Sequence, residues 1–96
     1  MVARMRAART DANQNDIVDA LRKIGAFVWI TSSLGNGGPD IVIGYRGKTY
    51  LVELKDGEKS ASRTALTPAE CDFHAAWRGG PLLIWYSVDD ALEALK

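Results

Sequence analysis

The stretch GGPDIVIGYRGKTYLVELK, residues 37–55, decides the fold of this chain. It contains two runs rich in Val, Ile, Leu and Tyr, separated by a glycine-containing break, and this pattern predicts a β-hairpin. Asp40 opens the first run, and charged residues interrupt the second. Because side chains alternate between the two faces of a strand, Glu53 and Lys55 share one face, opposite to that of Val52 and Leu54.

The register of the hairpin places two acids side by side. A turn through Arg46-Gly47 pairs the strands so that Asp40 lies opposite Glu53, and a four-residue turn gives the same pairing, whereas a three-residue turn points the two acids apart. Residues in opposite positions hold their Cβ atoms about 4.5–5.5 Å apart, where like charges destabilise the sheet. A divalent cation removes this repulsion, and Mg²⁺ prefers carboxylate oxygens. The hairpin therefore predicts a metal site.

The spacing of these residues resembles a known family. Gly-Gly-Pro-Asp, twelve intervening residues and then Glu-Leu-Lys resemble the PD-(D/E)xK nucleases and, more narrowly, the small stand-alone VRR-NUC proteins, which are similar to Holliday-junction resolvases. The resemblance covers roughly residues 11–95. It implies an α/β, restriction-endonuclease-like αβββαβ core, a mixed central sheet flanked by helices. It also implies that Asp40 and Glu53 bind the metal, while Lys55 positions or activates the attacking water.

The same resemblance completes a predicted ligand set for Mg²⁺ or Mn²⁺. The backbone carbonyl of Leu54 is the third ligand. Asp16 aligns with a glutamate that the family's first helix supplies to the metal. Since Asp16 is one methylene shorter, we expect a weaker, water-mediated contact. The alternative is that Asp16 is only an acid in the first turn of a helix, favoured by the helix dipole.

Two helical patterns flank the hairpin. Before it, apolar residues recur at i, i+1, i+4 and i+7, with Thr10 or Asp11 as the N-cap and Gly25 as the stop. That stripe consists of Ile17, Val18, Leu21 and Ile24. After the hairpin, Thr67-Pro68-Ala69-Glu70 predicts a helix start with a capping box. Its predicted core residues are Leu66, Ala69, Phe73 and Ala76, together with Cys71 as a small core residue.

Glu70 has two interpretations. The family usually places a Gln turned toward the active site at this position, so Glu70 is either an additional acid near the metal or the reciprocal half of the capping box. We favour the cap.

The remaining segments complete the predicted order of helix, three strands, helix, strand and short helix. Residues 26–31 are β-branched and aromatic, and they lead into a glycine-rich loop over residues 32–38. Residues 81–86 form a continuous apolar run that is typical of a strand buried on both faces. Ser87 onward predicts a short closing helix. Residues 56–65 predict a mobile polar loop in which Lys59 and Arg63 contact the substrate.

Composition sets broad limits. Ninety-six residues suit one domain, and we predict a nuclease domain over residues 11–96 after a flexible basic arm over residues 1–10. A single cysteine excludes an internal disulfide, and no apolar run is long enough to span a membrane, so we expect a cytosolic, soluble protein. The net charge of zero is unusual for a nucleic-acid-binding domain, but bound cations would neutralise the acids of the metal site.

These observations predict a metal-dependent DNA endonuclease, a hydrolase of phosphodiester bonds that selects branched DNA such as Holliday junctions. One site cuts one strand, so we expect a homodimer, which would also cover apolar surface on a short chain. An alternative is a non-catalytic nucleic-acid-binding module that retains the nuclease fold. A structural or antitoxin-like partner protein ranks last, because that function would not explain the buried pair of acids.

Overall fold

The computed structural model describes residues 12–57 and 65–96. Within these residues, three α-helices and four strands occur in the predicted order, which confirms the α/β fold with a mixed sheet flanked by helices. The predicted basic arm over residues 1–10 and the predicted N-caps of the first helix, Thr10 and Asp11, lie outside the described residues. The elements are α1 (Ala12–Lys23), β1 (Phe27–Ile30), a 3₁₀ helix (Ser32–Leu34), β2 (Ile41–Tyr45), β3 (Lys48–Leu54), α2 (Pro68–Ala76), β4 (Leu82–Trp85) and α3 (Val88–Ala94).

The hairpin β2–β3 sets the register of the whole sheet. Arg46 and Gly47 both adopt positive φ angles, 51° and 79°. Such angles belong to a tight two-residue turn, whose twist matches that of the flanking strands. Tyr45 therefore pairs with Lys48, and the ladder continues to Ile41 opposite Val52. The predicted register is confirmed, and it places the end of β3 beside the start of β2.

The sheet has the order β1-β2-β3-β4. β2 runs antiparallel to both β1 and β3, whereas β4 runs parallel to β3. β4 is consequently an edge strand, and three of its four residues are only half-buried. The prediction of a strand buried on both faces was wrong, because an apolar run does not reveal whether another strand follows on its outer side.

The hydrophobic core lies between the sheet and the helices α1 and α3. The predicted helical stripe contributes three of its four residues to the core, whereas the fourth, Ile24, is 40% exposed. Every second residue of β2 and of the end of β3 faces these side chains, although Glu53 on the other face of β3 is buried as well. Burial of a large aliphatic side chain stabilises a fold by roughly 1.5–3 kcal/mol. The core residues include Ile17, Val18, Leu21, Val28, Ile41, Ile43, Val52, Leu54, Trp85, Ala91 and Leu95.

Helix α2 lies outside this core. The structure describes all of its residues, and none of them is buried. The prediction that Ala69 and Ala76 belong to the core was wrong, because both are exposed, and so is Cys71. Phe73 is half-buried and stacks on Trp77, with ring centroids 6.1 Å apart. Apolar periodicity identified a common face of the helix, but that face does not pack on the main core.

The start of α2 is instead fixed by the glycine-rich loop. Gly37 has a φ angle of 77°, and a Cβ atom at this position would collide with the backbone carbonyl of Ala69. A Cβ on Gly38 would contact the ring of Phe73 at 3.8 Å. The loop that precedes Asp40 and the helix that carries Glu70 are therefore in close backbone contact, and this contact sets their separation.

Candidate metal and phosphodiester site

Asp40 is anchored at the end of β3 by its own carboxylate. The residue immediately precedes β2, and its backbone N–H donates to the carbonyl of Val52 at 2.9 Å. Its Oδ2 accepts a hydrogen bond from the backbone N–H of Leu54 at 2.7 Å. Burial raises the pKa of Asp40, and the charge of Glu70 acts in the same direction, although the hydrogen bond from Leu54 opposes the shift. The hairpin thus holds this acid beside the last residues of β3.

Glu53 is the most deeply placed acid of the site. It is 2% exposed and interacts directly with the carboxyl group of Asp40, as the predicted register requires. Burial raises the pKa of Glu53 to about 9, reinforced by hydrogen bonds to Glu70 and Asp40 and by the charges of both acids. Without a cation, Glu53 therefore holds a proton at neutral pH.

Lys55 lies between two acids on the face that it was predicted to share with Glu53. Its Nζ is 2.9 Å from Oε1 of Glu70 and 3.6 Å from Oε2 of Glu53. Its backbone N–H donates to the carbonyl of Trp85 at 2.9 Å, which fixes the position of the main chain. Burial alone would lower the pKa of Lys55, but the hydrogen bond to Glu70 and the surrounding negative charges raise it. The side chain is a fixed ammonium group.

Glu70 forms the predicted capping box and also contacts Lys55 of the site. Its backbone N–H donates to Oγ1 of Thr67 at 3.2 Å, and its Oε1 accepts from the backbone N–H of Thr67 at 2.9 Å, which completes the capping box. The same oxygen binds Lys55. Burial would raise the pKa of Glu70, but its hydrogen bonds and the charge of Lys55 outweigh that effect and lower it. The cap of α2 is thereby part of the site.

The chemistry of these donors fits a hard divalent cation. Oε1 of Glu53 is buried and has no hydrogen-bond partner among the described residues. An unpaired buried carboxylate oxygen costs free energy, and a cation would satisfy it. No set of three His, Cys, Asp or Glu side chains in residues 12–57 and 65–96 is arranged to hold an ion by itself. The predicted set of Asp40, Glu53 and the Leu54 carbonyl requires only two side chains.

Asp16 does not join this cluster in the part of the chain that the structure describes. It is exposed on α1, and the hydrogen bonds and ion pairs of Asp40, Glu53 and Lys55 given above do not involve it. Its predicted weaker contact with the metal stays a prediction, as does the role of the Leu54 carbonyl. Lys59 and Arg63, the predicted substrate contacts, lie outside the described residues.

A buried amide on α1 was missed by the sequence analysis. Gln14 is 6% exposed, and its Nε2 has no hydrogen-bond partner among the described residues. The side chain of the preceding residue, Asn13, donates to the backbone carbonyl of Lys55 at 2.9 Å, so the first turn of α1 lies at the end of β3. The signal that could have identified Gln14 is its spacing of three and seven residues from Ile17 and Leu21, which places it on the buried face.

Comparison with known proteins supports the architecture. A solved structure described as a VRR_NUC domain superposes with a TM-score of 0.61 at 21% sequence identity, over 90% of this chain and 100% of that chain. No family model matches the sequence, and no curated protein matches it. At this level of identity, the similarity establishes that the two chains share a fold. In the described residues, no helix has the length and apolar character needed to cross a membrane.

Proposed function

We propose that this protein is a Mg²⁺- or Mn²⁺-dependent DNA endonuclease, with residues 11–96 as its nuclease domain. The observation that carries the proposal is the gathering of Asp40, Glu53 and Lys55 where the start of β2 lies beside the end of β3, with one buried oxygen of Glu53 unpaired. The shared fold with a VRR_NUC domain supports it further. We also propose a cytosolic location, which the exposed, free Cys71 supports.

Asp40, Glu53 and the backbone carbonyl of Leu54 would hold the cation, with Asp16 as a weaker, water-mediated partner. A bound divalent cation supplies Lewis acidity at the scissile phosphate and activates the attacking water. Asp40 is suited to this role because the backbone N–H of Leu54 fixes one of its oxygens. Glu53 must give up its proton when the cation binds, and its buried position excludes competing water.

Lys55 acts on the water and the phosphate. Its ammonium lies 3.6 Å from Oε2 of Glu53 and therefore beside the position that the proposed cation would occupy. From that place it would orient the attacking water and stabilise the negative charge that develops on the phosphate oxygens. Lys59 and Arg63 follow shortly in the chain, and we propose that they bind the DNA backbone.

The test of the activity uses labelled four-way junction, flap, single-stranded and duplex DNA, each with Mn²⁺, with Mg²⁺ or with a chelator. We expect metal-dependent products, formed fastest on branched DNA such as the Holliday junction. The Asp40→Asn variant should form none, because the amide lowers the charge of the metal site, whereas Asp19→Asn, an exposed acid on α1, should cleave as the wild type does. Binding of DNA without metal-dependent products would contradict the proposal.

That contrary result would favour the second candidate, a non-catalytic nucleic-acid-binding module. The observation in its favour is that Lys55 is already paired with Glu70 and that α1 presents Asp16 to solvent. A module would retain DNA binding in the Asp40→Asn variant and in the presence of a chelator.

We further propose a homodimer, so that two sites cut the two strands of a junction. The edge strand β1 supports this, because its large apolar side chains Phe27 and Trp29 are 73% and 58% exposed. Light scattering at micromolar concentration should give twice the mass of the chain, and Trp29→Lys should shift the mass toward that of a monomer. A monomer mass for the wild type at the same concentration would exclude the dimer.

A further inference from the structure

We infer that Glu70 holds the ammonium of Lys55 away from Glu53 and thereby keeps the Glu53 carboxylate available to a divalent cation. The inference rests on the proposed function, since it concerns the proposed metal site. Glu70 is in this view a positioning residue, because it acts through Lys55.

The distances place Lys55 between two competing carboxylates. Its Nζ is 2.9 Å from Glu70, a charge-assisted hydrogen bond, and 3.6 Å from Glu53, beyond ordinary hydrogen-bonding distance. The side chains of Lys55, Glu70 and Glu53 are only 12%, 15% and 3% exposed, so solvent and salt screen these interactions weakly. A small movement of the ammonium would transfer it from one acid to the other.

The backbone fixes Glu70 in its place. The oxygen that binds Lys55 also accepts from the backbone N–H of Thr67, and Pro68 opens the helix. The residue before Glu70, Ala69, lies in close backbone contact with Gly37 of the glycine-rich loop. The carboxylate of Glu70 therefore cannot follow Lys55 toward Glu53, and the ammonium stays where the first turn of α2 puts it.

Removal of Glu70 leaves Glu53 as the nearest acid to Lys55, and the ammonium favours the ionised form of that acid. The ammonium would then bind the Glu53 carboxylate, including the oxygen that is now unpaired, and a tethered cation would compete with the metal for the same ligand. Loss of the Glu70 charge would also weaken metal binding through electrostatics alone. The two effects can be separated, because Gln keeps an oxygen acceptor without the charge, whereas Ala keeps neither.

The experiment measures the affinity of the metal-free protein for Mn²⁺ by isothermal titration calorimetry, with no DNA present. We expect Glu70→Ala to bind Mn²⁺ about tenfold more weakly than Glu70→Gln, the ratio that one charge-assisted hydrogen bond supports. In a Lys55→Met background the two Glu70 variants should bind Mn²⁺ equally. Thr67→Ala, which removes the other half of the capping box, should bind as the wild type does, with a lower melting temperature. Circular dichroism confirms that each variant is folded.

Four results would overturn the inference. Equal Mn²⁺ affinities of Glu70→Ala and Glu70→Gln would show that loss of the Glu70 charge explains the whole decrease in affinity. A difference that persists in the Lys55→Met background would not pass through the ammonium. A loss of affinity in Thr67→Ala equal to that in Glu70→Ala would assign the effect to the helix start. Absence of Mn²⁺ binding by the wild type would remove the metal site and the inference together, whereas binding without DNA cleavage would remove only the proposed activity.

Discussion

Replacing Lys55 with methionine should reduce metal-dependent cleavage of DNA by about 10²–10³-fold, the usual cost of losing one group that stabilises charge in a transition state. Methionine retains an apolar stem of similar length, so packing around the stem is kept. The fold should survive, because Glu70 retains its bond from the backbone of Thr67 and the core residues are untouched. Single-turnover rates at saturating Mn²⁺ on the best DNA substrate measure the effect.

The matched control is Lys48→Met, which removes a lysine from the exposed start of the same strand. It should cleave at the rate of the wild type, and both variants should give the circular dichroism spectrum of the wild type. If Lys55→Met cleaved as fast as Lys48→Met, the ammonium at position 55 would have no part in the reaction.

Glu53→Gln should make the metal-free protein more stable while it abolishes Mn²⁺ binding. The pKa of Glu53 is raised from its ordinary value near 4.5 to about 9, so the folded state keeps a proton that the unfolded state has lost. Between about pH 4.5 and about pH 9 the free energy of unfolding falls as pH rises, by at most about 1.4 kcal/mol per pH unit. At pH 7 the wild type therefore loses about 3 kcal/mol relative to a neutral side chain, and glutamine removes this loss.

Urea unfolding in a chelating buffer at several pH values tests this prediction. The wild type should lose stability from about pH 5 to about pH 9, and Glu53→Gln should show a much flatter dependence. Glu93→Gln provides the control, because it makes the same acid-to-amide change at an exposed position on α3, outside the site. A slope of equal size in the wild type and in Glu53→Gln would show that Glu53 is ionised in the folded protein.

The register of the site could be predicted from the sequence because local chemistry determines it. Arg46-Gly47 allows the positive φ angles of a two-residue turn, and the turn alone fixes which residues of β2 and β3 face each other. The cap of α2 was equally local, since Thr67 and Glu70 satisfy each other within one turn of helix. Interactions of this kind need no knowledge of the rest of the chain.

Tertiary placement could not be predicted in the same way. Ala69, Phe73 and Ala76 have the spacing of a common helical face, but spacing does not say whether any other element covers it. The contact between Glu70 and Lys55 joins residues fifteen positions apart and depends on where the glycine-rich loop positions α2. Gln14 is buried although glutamine is usually exposed, so its residue type alone would predict a surface position.

The absence of buried residues in α2, all of which the structure describes, has a consequence for the dynamics of the site. We expect the amide hydrogens of β2 and β3 to exchange with solvent only when the core unfolds as a whole. Those of α2 need only a local opening that breaks the capping box and the bond to Lys55. The part of the proposed site on β2 and β3 therefore belongs to the cooperative core, and the part on α2 belongs to a segment that can open locally. We expect loosening of α2 to slow the proposed cleavage at a smaller cost in global stability than a substitution in the core.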